Sequence, residues 1–150
     1  MKFSLHVDID LPVDKVIELF DNTDNMMKWQ EGLLSFEHLE GEPGQPGAKS
    51  KLVYKNGSKT FDLYEEITVR NLPEEFSGYY DHVAMRNSMK NSFASLKENQ
   101  TRWSTEIEYE FKTTMWKIMS LFMKPMFKKQ TLGFMKNFKK FAETGETVTN

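Results

Sequence analysis

The polar residues best suited to chemistry lie in the middle of the chain, within segments that otherwise alternate apolar and polar side chains. Tyr80 and His82 are two residues apart, so in a strand they would share one face. Glu65, Asn91 and Thr105 fall in the apolar phase of their own segments. Imidazole changes charge near neutral pH and would transfer a proton to or from a bound carbonyl or hydroxyl compound, while burial would raise the pKa of Glu65 and make it a base. The pattern defines a candidate acid–base site of cyclase, dehydratase or isomerase type.

The same residues have purely structural interpretations. His82 would also fit as a hydrogen-bonded wall residue or as an exposed residue near a strand end. Asp81 cannot orient it in a regular strand, because successive side chains point to opposite faces. Glu65 would point outward if the pair Glu65-Glu66 formed a β-bulge, which exchanges the faces of the residues that follow. The sequence leaves these alternatives open, and catalysis requires the polar groups to converge on one point.

Several other chemistries lack their usual residues. The chain has no cysteine, hence no thiolate nucleophile, disulfide or Cys-containing metal site. Its three histidines, His6, His38 and His82, stand in separate segments without the short spacing of zinc ligands. The loop GEPGQPG lacks the lysine of a phosphate-binding loop, and no G-x-S-x-G motif occurs. The sequence predicts neither a metal site nor a cofactor.

The length of 150 residues fits one domain, which we place at residues 1–143, followed by a flexible tail at 144–150. The N-terminus MKFSLHVDID has no signal-peptide apolar run, and no apolar segment is long enough to span a bilayer. We therefore expect a cytoplasmic protein that is not integral to a membrane. The oligomeric state does not follow from the sequence.

The order of elements predicts an α+β fold. Residues 3–9 alternate as a half-buried strand, LPVDKVIELFDN reads as a short helix beginning near Pro12, and Asp24 can cap a second short helix that ends at Trp29. Six further strands follow from Leu33 to Phe111, with a hairpin turn at Asn56-Gly57. A seven-stranded antiparallel sheet curls, so its apolar face should be concave. The apolar residues expected on that face are Phe61, Leu63, Ile67, Val69, Phe76, Tyr80, Met89, Phe93, Trp103, Ile107 and Tyr109.

Residues 114–143 predict one long amphipathic helix of about 45 Å. At 100° per residue one arc collects mostly Met and Phe, which re-pack easily around irregular contents. Pro125 should kink this helix or begin a new segment, acting as a hinge or as a static bend. The arc contains Met115, Met119, Phe122, Met126, Phe134, Phe138 and Phe141, with Trp116, Met123 and Phe127 along its edge.

Charge is distributed unevenly. Eight of the 20 basic residues and none of the 22 acidic ones lie between Lys112 and Ala142, so the helix has a basic back. A solvated helix face explains this pattern, and so does contact with an anionic membrane or an acidic protein. Nucleic acid is not a predicted partner, because no arginines are interleaved with these lysines and no recognised binding motif accompanies them.

These pieces resemble the SRPBCC or START-like superfamily with its helix-grip fold, and within it the polyketide cyclase/dehydrase-like and lipid-transport-like proteins. The resemblance rests on the opening strand with LPVDKVIELF, Trp29 followed by Gly32, LEGEPGQPGAKSKLVY, EEITVRNLPEEF and QTLGFMKNFKKFAE, and it covers nearly the whole chain. It implies a curved seven-stranded antiparallel sheet wrapped around a long C-terminal helix, with two short helices after strand 1. A hydrophobic pocket between sheet and helix is implied as well.

Three functional hypotheses follow. The first is binding of a small hydrophobic or amphipathic ligand, lipid-like or polyketide-like. The second is a cyclase-, dehydratase- or isomerase-type enzyme, and the third a protein- or membrane-docking module that uses the basic helix face. Trp29 is expected at the pocket mouth, as a gate or as a plug that anchors the second helix. The predicted ligand-binding residues are Trp29, Leu63, Tyr80, His82, Met89, Asn91, Phe93, Trp103, Thr105, Met119, Phe122, Met126 and Phe134.

Overall fold

A computed structural model describes residues 1–148. The predicted order of elements is confirmed: one strand, two short helices, six strands and one long helix. The strands are β1 (Lys2–Ile9), β2 (Leu33–Glu40), β3 (Lys49–Asn56), β4 (Lys59–Asn71), β5 (Glu75–Asp81), β6 (Met85–Lys97) and β7 (Gln100–Phe111). The helices are α1 (Val13–Phe20), α2 (Met26–Trp29), which a 3-10 turn (Thr23–Asn25) precedes, and α3 (Thr114–Thr144).

The seven strands form one antiparallel sheet in the order β1-β7-β6-β5-β4-β3-β2. Strands β2 to β7 are joined as successive hairpins, whereas β1 pairs with β7 at the far edge. Helices α1 and α2 therefore carry the chain from one edge of the sheet to the other. The helix-grip architecture predicted from the sequence is confirmed.

Local chemistry explains several boundaries. Gly57 and Ser58 form the tight turn between β3 and β4, one residue later than the expected Asn56-Gly57, and Gly57 has the positive φ of 65° that such a turn needs. The side chain of Asn22, and not Asp24, caps the 3-10 turn, because its Oδ1 atom accepts from Asp24 N at 3.0 Å. The predicted cap is therefore wrong by two residues.

A β-bulge in β4 lies later than the sequence suggests. Glu65 and Ile67 pair in register with Tyr80 and Gly78, and the register shifts between Ile67 and Val69. Glu65 therefore stays on the inner face, so the outward-facing interpretation is wrong. Val69, which the alternation places in the concave wall, is exposed on the outer face opposite Ser77. The alternation could not locate this shift, because apolar residues stand on both sides of it.

An aromatic cluster attaches the C-terminal half of α3 to the sheet and to the short helices. The Phe138 side chain is 0% exposed, and its ring centroid lies 5.2 Å from that of Trp29, 5.4 Å from that of Trp103 and 5.9 Å from that of Phe20. Edge-to-face packing of this kind is favourable beyond the area it buries. This cluster fixes the position of α3 on β1 and β7.

Helix α3 is continuous through Pro125, so the expected new segment is not formed. Thr113 begins it by accepting a hydrogen bond from Trp116 N at 3.2 Å, and Gly145 ends it in the left-handed conformation. Residues that follow the helix contact the fold again, since Val148 N donates to Lys28 O at 2.9 Å. The last two residues of the predicted tail, 149–150, lie outside the described residues.

The N-terminal half of α3 turns a different set of side chains toward the sheet from the set that the periodicity predicts. Its sheet-facing side consists of Trp116, Met123 and Phe127, which the periodicity places at the edge of the arc. Phe122 is 81% exposed, and Met119 and Met126 are exposed as well. Apolar residues surround much of this half-helix, so periodicity could not fix its rotation. Packing of Phe127 on Phe3, Ile107 and Phe111 selects the observed orientation.

Candidate functional site

A row of polar side chains crosses the inner face of the sheet. Successive cross-strand pairs connect them: Ser50 with Glu65, Glu65 with Tyr80, Tyr80 with Asn87, and Asn87 with Tyr109. Because directly paired residues of an antiparallel sheet point to the same side, all five line one band that runs from β3 to β7. We call this set of five residues the polar row.

Glu65 is the only acid in the polar row and is 8% exposed. Tyr80 Oη donates to Glu65 Oε2 at 2.7 Å. Burial raises the pKa of Glu65, and the only opposing influence is this hydrogen bond from Tyr80. Burial and the nearby Glu65 carboxyl likewise hold the pKa of Tyr80 well above its usual range. The pair thus favours the proton-bearing forms of both groups.

Tyrosines at both sides of this pair are buried too. Tyr54, next to the polar row on β3, is a hydrogen-bond partner of Gln30, and burial together with Glu65 raises its pKa. At the other end of the row, burial raises the pKa of Tyr109 to about 12, opposed by a hydrogen bond with Thr131 on α3. None of these phenols is poised to ionise near neutral pH.

Open hydrogen-bonding capacity distinguishes the polar row from an ordinary buried network. Within residues 1–148 the side chains of Ser50 and Asn87 make no hydrogen bond, and Glu65 Oε1 has none. The only unpaired side-chain polar atoms that are sealed from solvent in this part of the chain are Trp29 Nε1 and Thr105 Oγ1. The unpaired atoms of the polar row therefore keep some contact with solvent, although Ser50, Glu65 and Asn87 are only 4%, 8% and 8% exposed.

A second polar group lies four residues farther along β6 and β7, beyond the pair of Met89 with Ile107. Trp103 Nε1 donates to Asn91 Oδ1 at 2.9 Å, and Asn91 Nδ2 donates to Phe76 O at 3.3 Å. Asn91 is thus satisfied by the protein itself. Thr105 pairs with Asn91 across the strands, but its hydroxyl has no partner within residues 1–148.

The convergence around His82 that the enzyme hypothesis requires is not formed. His82 follows the end of β5, where its Nδ1 atom accepts from Ala84 N at 3.2 Å and its ring meets the Phe61 ring edge-on. It makes no hydrogen bond with Tyr80, Asn91 or Thr105 within the described residues. The satisfied wall residue is therefore the interpretation that the geometry supports.

The apolar residues of the interior form three clusters. The first surrounds Trp103 and Phe138, the second Ile107 and Phe127, and the third Leu52 and Tyr54. Among the described residues, no β5 side chain belongs to any of these clusters, although β5 occupies the centre of the sheet. Phe76 of β5 instead packs edge-on against Phe20 of α1, with the ring centroids 6.1 Å apart, and Tyr80 is enclosed beside Glu65.

The predicted apolar contact residues are distributed among these clusters. Leu63 and Phe134 pack on the third cluster and Met89 on the second, and all three are half-buried. Phe93, Trp29 and Trp103 are buried in the first cluster. For Trp29, the ring contacts with Phe20 and Phe138 favour the interpretation as a plug.

Sequence reasoning missed two members of the polar row, Ser50 and Asn87. A signal was present, because Asn87 shares the alternation of Met85, Met89 and Asn91, and Ser50 shares that of Leu52 and Tyr54. The strand is predicted to begin near Arg86, so Met85 falls outside it and the alternation of Asn87 with its apolar neighbours is less evident.

Two shallow depressions occur on the outer face of the sheet, with volumes of about 270 Å³ and 420 Å³. Polar and charged residues such as Glu75 and Lys90 border them, so they do not suit an apolar guest. Within residues 1–148, no group of three or more histidine or acidic side chains is arranged to hold a metal ion. The helices of the same part of the chain include none with the length and apolar character needed to cross a membrane.

Comparison with known proteins finds similarity in structure. No protein-family profile matches the sequence, and no curated protein matches it. The Thermus thermophilus protein TTHA0849 superposes with a TM-score of 0.78 at 13% identity, covering 98% of this chain and 100% of its own. The Zhui aromatase/cyclase from Streptomyces sp. R1128 gives a TM-score of 0.75 at 8% identity, covering 99% of both chains. A START superfamily protein from Mycobacterium smegmatis gives 0.70 at 12% identity, covering 95% and 94%. The chain therefore has the helix-grip fold of START-like proteins and aromatase/cyclases, which confirms at the level of fold the resemblance seen in the sequence.

Proposed function

We propose that the protein binds a small hydrophobic or amphipathic ligand between the inner face of the sheet and α3. The observation that carries this proposal is the polar row: unpaired polar atoms that keep some contact with solvent stand on a largely apolar inner face. Ligand sites in proteins are commonly apolar with a few polar groups that orient the guest. The proteins of similar fold support the same class of function.

The free-energy cost of placing polar side chains in a protein interior argues that the polar row has a function. Polar side chains contribute less to a packed core than apolar ones even when water can bond to them, so a fold that needed only a packed core would place apolar residues there. The row instead keeps the unpaired side chains of Ser50 and Asn87 beside the half-buried strand β5. A bound guest would supply the missing partners and cover the apolar surface around them.

Binding is proposed in preference to catalysis. The histidine expected as an acid–base group is bonded to Ala84 N, and Asn91 is bonded to Trp103. Within the described residues, neither His82 nor Asn91 is hydrogen-bonded to the Glu65–Tyr80 pair, so the acid–base group considered around His82 is not assembled.

The test is uptake of the uncharged fluorescent dye Nile red. Wild-type protein should enhance its emission with saturation at one dye per chain. Met89→Trp fills the inner face and should reduce binding at least tenfold, whereas Ser88→Trp, the neighbouring residue on the outer face, should leave it unchanged. Failure of the wild type to bind the dye, or equal loss in both variants, would contradict the proposal.

A second candidate function, docking on an anionic membrane surface, is favoured by the rotation of α3. Six large apolar side chains in the first half of this helix are exposed. Lys117, Lys124, Lys128 and Lys129 stand among them, and none forms an ion pair within residues 1–148. The exposed apolar residues are Met115, Ile118, Met119, Leu121, Phe122 and Met126.

The charge of this surface favours a negatively charged lipid layer as its occupant. Apolar side chains that enter the headgroup region gain from burial, and each lysine near an anionic surface contributes about 1 kcal/mol. A second copy of this chain would instead bring like charges together. Phe122 is the most exposed of the apolar residues and should lie deepest in the lipid.

Vesicle sedimentation tests this second function. Phosphatidylcholine vesicles that contain phosphatidylglycerol should bind the protein at low salt and release it at high salt, and pure phosphatidylcholine should bind it poorly. Phe122→Asp should abolish binding, while Leu96→Asp, at an exposed apolar residue near the β6–β7 turn, should not. Equal binding to both lipid compositions would refute the electrostatic component.

A further inference from the structure

The polar row also carries information about the chemistry of the guest, an inference that rests on the proposed binding function. Its unpaired atoms belong to three groups, an amide, a hydroxyl and a carboxyl. Asn87 offers an amide that can both donate and accept, and Ser50 offers a hydroxyl with the same ability. Glu65 offers the Oε1 atom opposite the one bonded to Tyr80.

Positive charge is missing from this surface within residues 1–148. The pKa of Glu65 is influenced by burial and by Tyr80, with no lysine or arginine among the causes. Arg70, the nearest arginine in the sequence of β4, is held by Asp21 through two hydrogen bonds, one of them 2.7 Å long. The lysines of α3 that remain unpaired lie on its exposed side. A carboxylate on the guest would therefore lose its water shell with no cation to replace it, which is costly.

The position of the row indicates where the guest carries its polar group. The row crosses five neighbouring strands, which at about 4.8 Å per strand gives a band of about 19 Å across the inner face. Apolar surface continues on both sides of the central pair, with Leu63 and Phe134 toward β3 and Met89 toward β7. Tyr80 and Glu65 stand near the middle of the band.

We infer that Glu65, Tyr80 and Asn87 form a recognition site for an uncharged hydroxyl or carbonyl group, so that the protein selects neutral oxygenated hydrophobic molecules over carboxylates of the same skeleton. Burial favours the protonated carboxyl of Glu65, whose Oε1 atom then donates to the oxygen of the guest. Asn87 completes the contact from the neighbouring strand. Fatty acids in their ionised form are the class that this site rejects.

The experiment is displacement of Nile red by three compounds with the same chain: 1-decanol, decanoic acid and decylamine, at neutral pH. The alcohol should compete at least tenfold better than the acid in wild-type protein. Glu65→Leu and Tyr80→Phe should each lower the affinity for the alcohol by about tenfold, the size of one lost hydrogen bond. Glu66→Gln is the matched control, because Glu66 pairs with Tyr79 on the opposite face, and it should leave the ranking unchanged.

The outcomes test this inference and the proposed binding function separately. An acid that competes as well as the alcohol would overturn the inference, and so would an amine that competes best, because Glu65 would then act as an ionised partner. An alcohol preference that persists in both Glu65→Leu and Tyr80→Phe would assign recognition to other residues and overturn it as well. Absence of Nile red binding to the wild type would overturn the proposed function together with this inference.

Discussion

Two phenylalanines on the same helix provide the sharpest test of how α3 sits on the sheet. Phe122 and Phe138 have the same side chain and both fall on the apolar arc of the sequence, yet Phe122 is 81% exposed and Phe138 is 0% exposed. Replacing each with alanine removes the same atoms from the same type of element. We expect Phe138→Ala to be strongly destabilising and Phe122→Ala to be nearly neutral.

The magnitude follows from the contacts of the Phe138 ring. A fully buried phenylalanine removes about 150 Å² or more from water, which at about 25 cal/mol per Å² corresponds to about 4 kcal/mol. The cavity that remains among Trp29, Trp103 and Phe20 does not collapse fully, so the measured range for such substitutions, about 3–5 kcal/mol, applies. Exposed Phe122 makes no comparable contact within the described residues, and its loss should change the free energy of unfolding by about 0.5 kcal/mol or less.

Urea unfolding followed by tryptophan fluorescence measures both values, because Trp29 and Trp103 report directly on this cluster. If Phe138→Ala does not fold, Phe138→Leu should show the same ranking with a smaller loss. Equal losses for the two positions, or a larger loss for Phe122→Ala, would show that the helix presents its Met119 and Phe122 side to the sheet. The assignment of the outward surface would then be wrong.

Three further predictions concern single side chains. Because burial raises the pKa of Glu65, the folded protein keeps a proton that the unfolded chain releases above pH 4.5, the usual pKa of this group. The free energy of unfolding should therefore fall as pH rises from 4.5 toward the raised pKa of the folded state. Glu65→Gln should flatten that part of the pH profile measured by urea unfolding, and an unchanged slope would count against a buried acid. Thr105→Val replaces an enclosed, unpaired hydroxyl by a methyl group and should raise the free energy of unfolding by about 1 kcal/mol, whereas a loss would reveal a partner for that hydroxyl. Thr113→Ala removes the cap on Trp116 N and should cost about 1 kcal/mol in the same assay, with no change expected if this end of α3 were frayed in solution.

Features that depend on local pattern could be predicted from the sequence. Strict alternation in Phe3–Ile9 and in Trp103–Phe111 determines both the strands and their inner faces, and the observed pairing of Val7 with Trp103 agrees with it. The hairpin turn at Gly57-Ser58, one residue beyond the predicted Asn56-Gly57, sets the register that brings Ser50 opposite Glu65. The fold follows from the order of such elements.

Features that depend on packing between distant segments could not be predicted. The bulge after Ile67 has no local signature, since Thr68 and Val69 are ordinary strand residues. The rotation of α3 depends on Phe127 finding Phe3 and Phe111, residues far away in the sequence. Alternation therefore predicts the inner-face residues correctly on most strands, whereas helical periodicity predicts the wrong ones on the first half of the helix.

The most direct test of a ligand site on the inner face is an NMR measurement of contacts between bound 1-decanol and methionine methyl groups in protein labelled at those methyls. Met89 lies on the inner face, whereas Met126 is exposed on the outward side of α3. Binding at the polar row predicts saturable ligand contacts with the methyl group of Met89 and none with that of Met126. Contacts confined to Met126, or no saturable contact with any methionine, would contradict the proposed site.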